Sequence, residues 1–588
     1  MGQANLWNRG THLNGAPGVS GLGGLGYRVR GLMVAFLAVG AAALALGVSA
    51  ASATTWNLPA TDLSAAGQGA GESEIAIAPD GTTTVVWRRE ADGMIQAATR
   101  PAGSSTFGAV QNLSDAELLS YGPEVVVASD GETTVVWGQN VGGGALAIQS
   151  ATRPAGSSTF GAVQNLATNQ GTGQRSPRVA VAPSGETTVV WVDGSDTVQS
   201  VTRPAGSDTF GAVVPLSAGG ENTSQLEVTV APDGTTTVVW NLTFSCSLGP
   251  VCFEIKVRTR PAGSSTFGAA QDISPTSERV LNPYLAVAAD GATTVVWTLS
   301  RGDCVVDICE TAQVTTRPAG SNTVGPVQDV SPTTLGIVMT NVAVAPDGAT
   351  TVVWAQFIED TFIIRARTRP ARSNTFGTIE DISEISNQSR IQIVAAADGA
   401  ITVVWEWEDV AMEDAHTVQA ASRPAGASAF GAVTNLSAAG ATPSRSRLAV
   451  ALDGAVTAVW EQFVEGSSRI QAASSDPPPA PPARVDVSSV KAKVTKKSIL
   501  ITSRVKVSGK GRISQQATTG NGRKTRVWCR TSKTAGAPGT YALKCQLGNK
   551  GRKAIRKKAL KLILRTTFTR AEGSKATANR KLTVKRKR

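Results

Sequence analysis

Glu406, Glu408, Asp409, Glu413 and Asp414, with Trp407 and His416 among them, are the densest group of reactive side chains in this 588-residue sequence. Carboxylates gathered on one loop suit Ca²⁺, a hard cation that takes oxygen ligands. Their spacing follows no calcium-loop motif, and a solvated acidic loop has the same composition. No other cofactor is indicated. A second group is repetitive. Arg100, Arg153, Arg203, Arg260, Arg317, Arg369 and Arg423 recur along the chain, and so do Asp80, Asp130, Asp233, Asp290, Asp347, Asp398 and Asp453. A ring of arginines could hold an anionic ligand. Repetition in every copy is also what scaffolding looks like, so pairing of these arginines with the aspartates or with loop carbonyls is expected. Such exposed pairs contribute about 0–1 kcal/mol each. Ser184 stands where the third copy lacks the aspartate while Arg203 remains, so the pairing is not obligatory. Histidine chemistry is nearly excluded. Only His12 and His416 exist, and no motif surrounds His416 that would make it part of a catalytic triad.

The six cysteines fall into three close pairs, Cys246/Cys252, Cys304/Cys309 and Cys529/Cys545. Local pairing across a loop or hairpin is the simplest of their fifteen connectivities, and a metal site is the alternative. Disulfides belong outside the reducing cytoplasm.

The element that must position all of these is a repeat. Ala78-Pro79-Asp80-Gly81-Thr82-Thr83-Thr84-Val85-Val86-Trp87 returns eight times, ending at Trp87, Trp137, Trp191, Trp240, Trp297, Trp354, Trp405 and Trp460. The spacings are 50, 54, 49, 57, 57, 51 and 55 residues. In the third copy, Val179–Ala182 reads as a short strand. Thr187–Trp191 reads as a second, rich in β-branched residues, and Val198–Arg203 as a third. Pro204-Ala205-Gly206 turns the chain, and Phe210 to Leu216 reads as a fourth strand. Four antiparallel strands in about fifty residues is the size of a propeller blade. No 3.6-residue period supports a helical solenoid. The eighth copy stops after three strands. The missing piece stands at the other end, where Thr55–Ser64 resembles Thr106–Ser114. An all-β fold follows: an eight-bladed β-propeller closed by an N-terminal strand, with the tryptophans packing between blades as large core side chains. An open β-solenoid would not explain the split repeat.

The flanks divide the chain further. Gly31 to Ala50 is uncharged and precedes Ala51-Ser52-Ala53, a small-residue cleavage pattern. Residues 1–53 are therefore read as a signal peptide or, uncleaved, a membrane anchor. Residues 54–475 are the ring, and 476–483 a proline-rich spacer. Residues 484–588 are read as a small immunoglobulin-like β-sandwich, with Asn549 to Lys558 a short basic helix or loop. From Arg484 onward there are 31 Lys and Arg against Asp486 and Glu572, giving +29. The remainder carries 25 basic and 42 acidic residues, −17, and the sum is the chain's +12. Basic surface attracts polyanions. For an exported protein these are anionic cell-wall polymers, acidic polysaccharide or membrane surfaces, with nucleic acid the runner-up; a solvated basic surface needs no partner.

The turns at one end of each repeat are nearly constant, whereas the other two connections vary. Varied loops on a rigid scaffold are where binding usually sits. A secreted or cell-surface binding protein, with a glycan or protein ligand on the varied loop face, is the leading expectation. A carbohydrate-active hydrolase and a ligand-free structural repeat protein are the alternatives. The repeat resembles that of sialidase-type propellers, Ser-x-Asp-x-Gly-x-Thr-Trp, in its Asp-Gly, threonines and tryptophan. It departs from it because Trp87 follows Asp80 by seven residues rather than five. No arginine triad or nucleophilic tyrosine can be assigned from the resemblance, and no catalytic residue is named. As a whole, residues 54–588 resemble the secreted tandem-repeat propeller proteins of GC-rich bacteria with a basic C-terminal β domain. That resemblance implies no particular activity.

Overall fold

The computed structural model describes residues 54–585 apart from short segments, of which 409–415, 477–482 and 520–524 are the longest. The proposed signal or anchor and the spacer residues 477–482 lie outside the described residues, as do Asp409, Glu413 and Asp414. The described chain is nearly all β. Eight antiparallel sheets of the repeat type follow one another from Trp56 to Ser475; seven keep the strand order of the sequence, and the last takes its outer strand from the N-terminal end.

The second strand of each repeat explains the packing. In Thr83–Arg89, Val85 and Trp87 point to the preceding sheet, beside Val459 and Ile470. Val86 points to the next, beside Trp137. Successive side chains of a strand face opposite ways, so a run such as Thr-Thr-Val-Val-Trp fills two seams at once and reads as nearly continuous hydrophobicity. All eight repeat tryptophans are fully buried. Each buried indole needs an acceptor. Trp87, Trp297 and Trp405 donate to Gln96, Gln313 and Gln419 on the third strand, at 3.0–3.1 Å. Lys256 replaces that glutamine opposite Trp240, whose Nε1 has no partner.

The first strands neighbour one another in cyclic order, and that of the last sheet, Thr442–Val450, lies beside that of the first, Ala70–Ile77. Trp56–Asp62 supplies the fourth strand of the last sheet, pairing with Ser467–Ser475. One expectation is corrected. The fourth strand of the third repeat is Val214–Pro215, not Phe210 to Leu216. Gly211 hooks its N–H onto Thr202 O at 2.9 Å, and the exposed residues 211–213 then leave the ladder at the open edge of the sheet.

The Asp-Gly turn is equally constant. Thr82 N–H donates to Asp80 Oδ1 at 2.8 Å, and Gly81 takes φ +96°, the left-handed region that glycine enters without penalty. The second turn also has a left-handed glycine in most copies, but Arg372 stands there in the sixth with φ +62°. A non-glycine residue pays about 1–2 kcal/mol for that conformation, partly offset by glycine's looser unfolded chain. Arg372→Gly is therefore expected to stabilise the protein by about 0.5–1 kcal/mol, read as a higher urea midpoint. An unchanged or lower midpoint would contradict it.

Residues 485–584 form two facing sheets. One has Val485–Val494, Ile499–Val507 and Gly539–Leu547. The other has Arg526–Ala535, Gly511–Thr519, Leu560–Arg570 and Lys575–Val584. Ile499 and Ile501 from the first share a core with Ala517, Leu562 and Leu564 from the second. Asn549–Lys557 is a helix that sets Ile555 on the same core. Cys529 and Cys545 are bonded, with Cα atoms 5.7 Å apart. This pair does not staple a hairpin, because its cysteines stand in opposite sheets. Closing a loop of this length restricts the unfolded chain by about 3 kcal/mol. The Cys529→Ala/Cys545→Ala protein should lose roughly that much in the unfolding transition of this region alone; a loss below about 1 kcal/mol would count against it. Cys309 is also disulfide-bonded. The side chains of Cys246, Cys252 and Cys304 lie outside the described ones. Disulfides fit an extracellular protein. No helix among the described residues is long and apolar enough to cross a membrane.

Candidate functional site in the axial channel

The cyclic first strands bring polar side chains of several sheets within reach of one another at the centre of the array, the region called the axial channel below. Thirteen residues before each tryptophan stands a side chain that the repeat does not hold constant: Glu74, Glu124, Arg178, Glu227, Tyr284, Asn341, Gln392 and Arg447. Two residues earlier the first strand is bulged in seven of the eight sheets. There Glu72, Gln225, Asn282, Met339, Arg390 and Arg445 all take φ between +42° and +55°. A bulge re-aims side chains and bends its strand. Left-handed non-glycine residues are costly and collect where function over-determines them. Gly122 is the seventh, and a Cβ there would lie 2.9 Å from Ser176 Cα in the neighbouring sheet, so glycine is required by close approach.

Charge is concentrated in this wall. Arg178 forms ion pairs with Glu124 in the preceding sheet and, at 3.4 Å, Glu227 in the following one. Its Nε donates to Leu226 O at 3.2 Å. Arg447 Nε meets Glu74 Oε1 at 2.5 Å. These side chains keep 18–30% of their surface open yet face one another across a narrow space. Two carboxylates compete for Arg178. Burial pushes Glu124 up to about 8 against the pull of Arg178, and Glu74 and Glu227 add repulsion. Burial also raises Glu227. Arg178 moves up, held charged chiefly by Glu124. Burial, with Glu227 nearby, raises Tyr284, and burial lowers Arg390.

Polar contacts at the wall span every seam. Glu461 Oε1 accepts from Glu72 N–H at 2.6 Å, and Glu72 Oε2 accepts from Gly122 N–H at 2.7 Å. Arg178 spans the next two seams. Gln225 Nε2 donates to Asn282 Oδ1 at 2.7 Å, and Thr298 and Thr340 hydroxyls lie 3.3 Å apart. Asn341 Nδ2 donates to Ile391 O at 3.1 Å, and Ser446 N–H to Glu406 Oε1 at 2.7 Å.

A carboxylate whose pKa is raised on folding adds stability that is fully present below its unfolded pKa of about 4.3 and is lost as pH rises through its folded value. The ring should therefore become less heat-stable between pH 5 and pH 9. Glu227→Gln removes one competitor for Arg178 and should flatten that slope in thermal scans followed by circular dichroism. An equally steep slope in the variant would show that the titrating group lies elsewhere.

The residues singled out by sequence are placed as follows. The arginines do not pair with the turn aspartates, whose carboxylates accept backbone N–H groups of their own turns, as Asp130 does from Glu132 and Asp233 from Thr235. The arginines turn into the seams instead. Arg153 reaches Thr99 at 2.7 Å and Thr84 at 3.0 Å in the preceding sheet, and Thr133 at 2.8 Å in its own. Arg100, Arg260, Arg369 and Arg423 do the same with threonine hydroxyls, and Arg203 and Arg260 also meet Glu132 and Glu186. Six of them lie 5.1–5.5 Å from a phenylalanine ring, such as Phe107 and Phe160. Val324 replaces that ring in the fifth repeat, and Arg317 turns to the carbonyls of Gly291 and Ser321. Arg153, Arg203, Arg260 and Arg317 are buried and Arg100, Arg369 and Arg423 half-buried, each engaged with these partners inside the protein.

In the acidic group, Glu406 is buried and caps Ser446, while Glu408 stands opposite His416 in the strand ladder. Among the described residues, no three His, Cys, Asp or Glu side chains are placed to hold a metal ion. The channel residues were not singled out by sequence. The signal was present in their fixed offset from the tryptophan, where type changes from copy to copy.

No family model and no curated protein matches the chain. Among solved structures it is similar to the polysaccharide lyase Uly1, at 10% identity over 60% of this chain and 89% of that one, TM-score 0.42. It is also similar to a PL25 ulvan lyase bound to -[GlcA(1-4)Rha3S]-, at 9% identity over 66% and 96%, TM-score 0.40. A leech intramolecular trans-sialidase matches at 8% identity over 71% and 93%, TM-score 0.32. Likeness at this level carries no residue, substrate or activity to this chain. The all-β, repeated four-stranded sheets are those of a propeller-like repeat protein.

Proposed function

We propose that residues 54–475 are an eight-bladed β-propeller closed by its N-terminal strand, followed by the 476–483 spacer and an immunoglobulin-like domain. The protein is secreted or held at the cell surface, and binds a glycan or protein ligand at the mouth of the axial channel on the varied loop face. The basic domain holds it to anionic polymer or membrane. One observation carries the reading. Within a repeat constant at its turns, tryptophans and seam arginines, the channel position changes type around the ring: glutamate in three sheets, arginine in two, and Tyr284, Asn341 and Gln392 in the others. A scaffold needs no such variation, whereas recognition of an asymmetric ligand does.

A hydrolase reading is favoured by the burial that pushes the Glu124 carboxyl up to about 8, the direction a general acid needs. Glycan-array binding of the full chain at low and high salt tests both. Selective, salt-tolerant binding that is lost in Arg445→Gln and Glu72→Gln supports recognition at the channel mouth. Binding that survives both substitutions, or disappears with salt in every case, refutes it. Release of sugar products that stops in Glu124→Gln would establish the hydrolase instead.

A further inference from the structure

The outer face of the four-stranded sheet in residues 511–584 carries a groove of about 460 Å³, within the range of small-ligand sites. Gln516 stands in register with Arg530 on one side and Arg565 on the other. Two strand spacings, about 9–10 Å, separate those two backbones. One row along, Ser514 stands between Ser532 and Thr567. Arg512 closes the end of the groove, its Nη2 3.5 Å from Ser532 Oγ. All three arginines are exposed. No acid lines the groove. Of the domain's two acids, Asp486 is held by Arg580 at 2.9 Å, and Glu572 lies outside the described residues.

Chemistry selects among polyanions. Three guanidiniums with no internal counter-ion favour carboxylate or another oxyanion, bound through paired N–H donors. Between them lie hydroxyls and an amide, which both donate and accept. A polyphosphate offers acceptors only and would leave the groove's own acceptors unused. A sugar chain uses both. No aromatic side chain lines the groove, so single-stranded nucleic acid would lose the stacking that such sites rely on.

We propose that this groove binds an acidic polysaccharide, a chain of uronate sugars. It lies across the strands with carboxylates on Arg530, Arg565 and Arg512 and ring hydroxyls on Ser514, Ser532 and Gln516. This rests on the reading that the basic domain engages polyanions, and names where and through which chemistry.

The test is titration of the full chain with oligogalacturonate at about 150 mM salt, with inorganic polyphosphate and oligo-dT in parallel. Arg512→Gln/Arg530→Gln/Arg565→Gln removes three groove charges. Arg504→Gln/Lys506→Gln/Lys544→Gln removes three exposed charges from the other sheet. The groove triple should weaken oligogalacturonate binding by about tenfold or more, since each charge-assisted contact is strong, and the control by less than about threefold. Equal losses would overturn the groove while leaving polyanion attraction intact. Failure of the unaltered protein to bind any of the three polymers would overturn both readings. Tighter binding of polyphosphate or oligo-dT than of oligogalacturonate would overturn the choice of sugar. Circular dichroism of each variant separates lost binding from lost fold.

Discussion

Arg178→Met is expected to lower the unfolding free energy of the ring by about 3–5 kcal/mol at pH 9, and by clearly less at pH 5. Removing one partner of a buried pair leaves the other charge uncompensated. Here two carboxylates, Glu124 and Glu227, lose their shared cation. At pH 9 each must either remain ionised in the channel or take up a proton that the unfolded chain does not hold. At pH 5 protonation is nearly free, so the penalty shrinks. Neutralising the cluster with Glu124→Gln and Glu227→Gln in the same chain should recover most of the loss, because a neutral set has no unpaired charge. Urea unfolding at the two pH values gives the comparison. A loss independent of pH would place the cost in packing, and no loss at all would mean the channel is open enough for water to solvate the carboxylates.

Trp137→Ala should cost a comparable 3–5 kcal/mol, the usual range for deleting a large buried aromatic side chain. Trp137 packs against Val86, Ile95, Ala97 and Leu113 of the preceding sheet as well as Val135 and Ala151 of its own. The cavity would open in a seam rather than within one sheet. Trp137→Phe fills most of that space and loses the indole donor to Gln149, at 3.1 Å. It should cost about 1–2 kcal/mol through the half-buried acceptor of Gln149 left without its donor. Near-equal losses for the two variants would shift the explanation from volume to the hydrogen bond. Both transitions should be monitored separately from that of residues 485–584.

The repeat made the strand order readable, because Asp-Gly turns and Thr-Thr-Val-Val-Trp runs specify hairpins through local chemistry. The split eighth copy made its completion by Trp56–Asp62 readable in the same way. The fourth strand was overestimated because Phe-Gly-Ala-Val has strand composition, and only tertiary placement at the outer edge withdraws its partners. The seam role of Arg153 and its equivalents was not legible. Sequence places arginine and aspartate in neighbouring turns, but the side chain is long enough to run back between sheets to threonine hydroxyls. The channel cluster was hidden for a different reason. Residues such as Glu124 and Arg178 meet across sheets, 54 positions apart, and their strand had been read only by its apolar half.

The strand Trp56–Asp62 is made before every other strand of the repeat sheets and pairs with the last of them, Ser467–Ser475. Asn57 Nδ2 donates to Asp476, 419 positions later, at 3.1 Å. Until Ser467–Ser475 has been made, seven sheets and part of an eighth exist with two unjoined ends, each an edge that another chain could pair with. Contacts of this sequence separation also slow folding. Synthesis or export of this chain therefore includes an interval in which crowding by sister molecules competes with completion of the circle. A tether joining residue 475 to residue 54, with new termini cut in one of the varied loops, would turn that late encounter into a local hairpin and shorten the interval.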